Sequence, residues 1–149
     1  KHLKNILIYT DSRIENATIK LHLYNVHSDG FPGDEILKKD LIVSVKKGTI
    51  KNKIDLTDFN LAIPKTGLFV GFEKLLIEKN KVEKEIKNQN SSTTTIQKIY
   101  YPFFLYNYVE MKSIFSYSGG KWTIKNTEKA LYNEIQKGYE PAINITLTN

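Results

Sequence analysis

Strict alternation of apolar and polar residues dictates extended backbone with one buried face, and few patterns constrain a fold more tightly. The chain shows it most cleanly over Ala17–Val26, where Ile19, Leu21 and Leu23 alternate with Lys20, His22 and Tyr24. A slip of one residue would turn the whole apolar set toward water, so the same pattern sets the pairing register. Leu41, Val43 and Val45 repeat it, as do Ile143, Ile145 and Leu147 set against Asn144, Thr146 and Thr148. Residues 3–10 and 50–56 read as further strands, and the wholly apolar run 68–72 reads as a central strand covered on both sides.

Turn formers separate these runs. Pro32-Gly33 predicts a type II turn, with Pro32 fixing φ and Gly33 free to take positive φ. Asp55-Leu56-Thr57 predicts a corner in which a carboxylate or hydroxyl bonds nearby backbone, and Pro64 to Gly67 predicts another turn. Residues 114–117 and 122–124, flanking Gly119-Gly120, carry the strongest hairpin signal, with Trp122 packing across it. The expectation is an all-β fold, an antiparallel β-sandwich of jelly-roll-like or immunoglobulin-like type. At 149 residues it forms one domain, 1–149. The chain opens on Lys1 rather than Met, so it reads as a processed or excised part of a longer protein.

Three segments depart from simple alternation. Residues 78–97, with mixed Lys and Glu followed by an Asn/Ser/Thr tract, predict one long exposed loop. Residues 127–137 predict a short helix, capped by Asn126 or Thr127 and carrying Leu131 and Ile135 at i, i+4. Residues 99–108 are the aromatic centre of the chain. Alternation there places Tyr101, Phe103 and Leu105 inward and Tyr100, Phe104, Tyr106 and Tyr108 on the opposite face. Such a face suits core packing or a neighbouring protein, and it can also stack on sugar rings.

Charge narrows the partners. The net charge of +6 would suit nucleic acid, but Arg13 is the only arginine and the rest of the positive charge is lysine. Nucleic-acid and phosphate sites favour the arginine fork, so dispersed lysines read as a solvated surface and no nucleic-acid partner is expected. Cysteine is absent, which removes disulfides, thiolate catalysis and Cys-ligated zinc. No apolar run is long enough for a membrane-spanning helix.

Candidate chemistry is sparse. His22 has no second histidine at metal-ligand spacing and reads as a solvent-side strand residue. The 28–35 loop holds three carboxylates but lacks the spacing of a calcium loop. Asp55 and Glu73 are the only acids worth considering as a hydrolytic pair, and each reads more simply as a corner cap and a strand-end charge. The chain is therefore expected not to be an enzyme and to need no cofactor or metal.

Several of these pieces together resemble a β-sandwich module of Bacteroidota envelope proteins associated with carboxypeptidase-like regulatory domains. The likeness is carried by Lys20-Leu21-His22-Leu23-Tyr24, Pro32-Gly33 with Ile36-Leu37, Leu41-Ile42-Val43, Ile54-Asp55-Leu56-Thr57 and Gly67-Leu68-Phe69-Val70-Gly71-Phe72-Glu73. The Tyr117…Gly119-Gly120-Lys121-Trp122 hairpin also fits. The chain departs from that module at Lys20, where arginine is usual, and at Asn52, Lys53 and Lys74, near or at positions usually aromatic. What the resemblance implies is a secreted or cell-envelope module, periplasmic or surface-exposed, without peptidase activity. It would assemble with an envelope or surface protein, or alternatively bind a glycan. The residues expected to bind are Tyr100, Phe104, Tyr106, Tyr108 and Trp122.

Overall fold

The alternation over Ala17–Val26 becomes the strand on which the sandwich is built. The computed structural model describes residues 1–110, 113–125 and 137–149. Its strands are β1 (His2–Ser12), β2 (Ala17–Val26), β3 (Pro32–Glu35), β4 (Leu41–Val45), β5 (Gly48–Asp55), β6 (Phe69–Lys74) and β7 (Lys81–Lys87). They continue with β8 (Thr94–Tyr100), β9 (Phe103–Phe104), β10 (Tyr106–Glu110), β11 (Ile114–Ser118), β12 (Lys121–Lys125), β13 (Lys137–Pro141) and β14 (Ile143–Thr148). The fold is an all-β sandwich of antiparallel sheets, as expected.

One sheet runs β14-β1-β5, with β9 beside the end of β1. In the other, β2 pairs with β4 and β3 along one edge and with β6 along the other. Ile19, Leu21 and Leu23 of β2 join Leu3, Ile6 and Ile8 of β1, Val45, Ile54 and Leu56 in a single buried cluster. Leu3 and Ile6 differ in parity, yet both are buried. A register shift between Leu3 and Asn5 in the β1–β14 ladder absorbs the extra residue, as a β-bulge does.

A strand buried on both faces needs hydrogen bonds along both edges. β6 reaches only as far as Lys74, opposite Ile19, so it leaves the Thr18 peptide unpaired on that side. The fully buried Asn80 takes over: its Oδ1 accepts from the Thr18 N–H at 2.8 Å and its Nδ2 donates to the Thr18 carbonyl at 2.7 Å. Nδ2 also donates to the Leu75 carbonyl, and the Asn80 carbonyl accepts from the Tyr101 N–H. Asn80 thereby ties β2 to the β6–β7 connection through its side chain, and to the segment after β8 through its backbone carbonyl.

Several local expectations change. The turn lies at residues 27–31, where the Gly30 N–H donates to the His27 carbonyl, the His27 N–H to the Phe31 carbonyl, and Gly30 takes φ 84°. This is a type I turn closed by a left-handed residue. Pro32 and Gly33 instead open β3. Gly33 is needed for space, because a Cβ there would collide with the Asn25 side-chain oxygen that holds the Asp34 N–H. β6 pairs only with β2 among the described residues, so it is an edge strand, not a central one. Its apolar run is still used on both faces: Phe72 packs on Phe104, and Phe69 meets Phe115.

The loop expected over 78–97 is mostly a hairpin, β7–β8, with a tip at 88–93. Its cross-strand pairs include Val82 with Ile99 and Glu83 with Lys98, an alternation blurred because most of its side chains face water. The helix expected over 127–137 lies outside the described residues except for Lys137, which begins β13. The corner at Asp55 is present: its Oδ1 accepts from the Thr57 N–H and hydroxyl. Gly119 and Gly120 both take positive φ in the β11–β12 turn, as the hairpin signal requires.

Asn80→Ala would leave the Thr18 peptide without its partner. It is expected to lower unfolding free energy by about 2–4 kcal/mol, read from the urea denaturation midpoint. A loss below about 0.5 kcal/mol, within the range of ordinary surface substitutions, would contradict this role.

Candidate functional site

Lys20, His22 and Tyr24 alternate with the core residues of β2, and side chains of β3, β6 and the β11–β12 hairpin meet His22 and Tyr24 there. His22 is not the solvent-side residue expected: only 8% of it is exposed. Its Nδ1 lies 3.0 Å from both Glu35 oxygens on β3, and its Nε2 lies 2.8 Å from Glu73 on β6. One carboxylate from each neighbouring strand faces each ring nitrogen within hydrogen-bond distance. The ring thus clamps the two strands flanking β2. The carboxylates stand on opposite sides of it and do not converge on a common point. Among the described residues, no group of three or more acidic or histidine side chains is placed to hold a metal ion.

Gly71 lies directly opposite His22 in the ladder and close under the Tyr24 ring. A Cβ there would stand 3.3 Å from the Tyr24 ring. Tyr24 stacks on His22 with centroids 5.6 Å apart and planes within 8°, and Trp122 meets Tyr24 edge-on at 5.2 Å. Trp122 also packs on Tyr117, its cross-strand partner in the hairpin. Burial, followed by the Glu35 and Glu73 charges, pushes the Tyr24 hydroxyl above the usual tyrosine range. Further along the same face, Lys20 bonds Asp40 at 2.8 Å, which raises the lysine and lowers the carboxylate.

A second arrangement lies where the chain leaves the sandwich. The Leu105 N–H donates to the Tyr9 carbonyl, the Ala142 N–H to the Leu105 carbonyl, and the Tyr9 N–H to the Ala142 carbonyl. From this junction β10 and β13 run out as a two-stranded ribbon. Tyr106 and Tyr108 share one face with Tyr139 and Pro141, their direct cross-strand neighbours. Tyr106, Tyr108 and Tyr139 are 55%, 62% and 66% exposed. The Tyr108 and Tyr139 rings approach to 5.0 Å at 47°.

The residues expected to bind are therefore dispersed. Proline cannot donate to a ladder, and Tyr101-Pro102 breaks the 99–108 run into β8, β9 and β10. The expected alternation fails there: Phe103 is exposed, with the Lys74 ammonium 4.2 Å over its ring, while Phe104 packs into the core against Phe72. Tyr100 is half-buried at the end of β8, and Trp122 is held by Tyr24 and Tyr117. Only Tyr106 and Tyr108 remain side by side. Tyr139 completes their face and was missed, because nothing local marks a tyrosine 31 residues from its partner. Glu35 and Glu73 were missed as partners of His22 for the same reason.

Asp55 and Glu73 belong to different sheets and are engaged by Thr57 and His22 respectively. The Thr57 hydroxyl, then its N–H, holds the Asp55 carboxyl below the usual range. No family model matches the chain, and neither a curated protein nor a solved structure matches it.

Folded Tyr24 keeps its proton at a pH where the unfolded chain releases it. Its contribution is intact below the ordinary tyrosine value of 10.0 and is lost as pH rises through the folded value. The stability difference between wild type and Tyr24→Phe should therefore shift in favour of the variant from about pH 9 to about pH 11. Guanidinium titrations followed by Trp122 fluorescence measure it, and parallel pH profiles would refute it.

Proposed function

We propose that the chain is a non-enzymatic β-sandwich module of the cell envelope or surface, and that it assembles with another protein through the face formed by Tyr106, Tyr108 and Tyr139. The observation that carries this reading is the exposure of these three rings on one face of the β10–β13 ribbon. Tyrosine offers a large, rigid, amphipathic contact area with only two side-chain torsions to immobilise, and it is enriched at protein interfaces. The ribbon stands on the three-way hydrogen-bonded junction of Tyr9, Leu105 and Ala142, which fixes its base. The non-enzymatic reading is supported by the structural engagement of Asp55 and Glu73. The envelope setting is supported by the resemblance of the 19–73 region to the Bacteroidota module.

A glycan is the alternative ligand, since exposed tyrosine faces also suit sugar rings. The 47° tilt between Tyr108 and Tyr139 offers a pyranose no common plane, and this favours a protein partner.

Pull-down from envelope extract should retain a partner that Tyr108→Ala and Tyr139→Ala each release. The affinity loss should be about tenfold or more, with the thermal midpoint unchanged within about 2 °C. A glycan array bound by wild type and not by these variants would select the alternative. Binding unaffected by the double variant would remove the tyrosine face from the function.

A further inference from the structure

The last strand carries an interaction surface separate from the tyrosine face. β14 is bonded to β1 along one edge, and no strand lies beside its other edge among the described residues. Open edges invite pairing and are usually protected by charge or proline. β5, at the other edge of the same sheet, carries Lys51 and Lys53, and β3 opens with Pro32. β14 reads Ile-Asn-Ile-Thr-Leu-Thr, with neither. Ile145 and Leu147, opposite the buried Ile6 and Leu3, are 42% and 40% exposed. The apolar face of the sheet thus continues past the covered core to an unprotected edge.

We propose that this edge pairs antiparallel with β14 of a second copy of the chain, about a two-fold axis through Ile145. The strand itself selects that occupant. A two-fold axis perpendicular to the sheet keeps each residue on its own face, so only residues of like parity can oppose one another. With Ile145 opposite itself, Ile143 meets Leu147 of the partner copy and Asn144 meets Thr146. Every apolar residue of β14 then faces an apolar residue. Centring the pair on Asn144 or on Thr146 would instead leave Leu147 or Ile143 without an apolar counterpart. The result is one continuous sheet, β5-β1-β14 followed by the same three strands of the second copy in reverse order.

The absence of cysteine makes the register directly testable. Across the axis the two Ile145 Cα atoms would lie about 4.5–5.5 Å apart, within the disulfide range of about 4.4–6.8 Å. The two Asn144 Cα atoms would be diagonal neighbours at about 7–8 Å, beyond it. Under mild oxidation, Ile145→Cys should form a covalent dimer at least about tenfold faster than Asn144→Cys, whose thiol lies on the same exposed strand. Sedimentation equilibrium of the unmodified chain should show a concentration-dependent dimer that Ile145→Lys abolishes and Tyr108→Ala leaves intact, which separates this surface from the tyrosine face. A monomer at every concentration, equal cross-linking of both cysteine variants, or a different extended segment on the β14 edge would each overturn the proposal.

Discussion

The Thr18 peptide must find hydrogen bonds in the dry middle of the molecule, and much of the remaining geometry follows from how it does so. β6 ends too early to serve it, so Asn80 offers a side-chain amide with the same donor and acceptor as a strand. An unpaired buried peptide is costly enough that this placement is nearly obligatory. Because the Asn80 carbonyl also receives the Tyr101 N–H, the same residue settles where Tyr101 enters the core. Phe103 and Phe104 then fall beside Thr10 and Asp11 of β1, and Leu105 reaches Tyr9. The β10–β13 ribbon leaves from that point.

The outer face of β2 meets a related demand by different means. Its side chains are largely covered as well, and here the cover is polar and aromatic. Lys20 finds Asp40, His22 finds Glu35 and Glu73, and Tyr24 finds Trp122. β3 is only four residues long, so the His22–Glu35 bond supplies a side-chain anchor that its short ladder lacks. This polar layer holds strands together, which leaves the tyrosine face as the better candidate for recognition.

How much was legible in the chain depended on how far apart the interacting residues lie. The alternation of β2 and β14 and the paired glycines of the β11–β12 turn act within a few residues, and they read correctly. Pro32-Gly33 misled because proline also suits the first residue of an edge strand, and glycine also serves where a neighbouring side chain needs room. β7–β8 was hidden because a ribbon wet along most of its length, with only its base packed on the core, has little apolar periodicity to display. Residues 99–108 looked like one strand because aromatic content outweighed the single Pro102 that divides it.

The sequence by itself determined the all-β class, the main strands and the glycine turns, since backbone period and φ preference are properties of adjacent residues. Tertiary structure alone decided that His22 would be buried between acids 13 and 51 residues away, and that Asn80 would serve a peptide 62 residues distant. It also brought Tyr139 beside Tyr108. The physical reason is common to all three. Desolvation forces buried polar groups to find partners and strand pairing sets cross-strand neighbours, and both choose among groups near in space, whatever their separation along the chain.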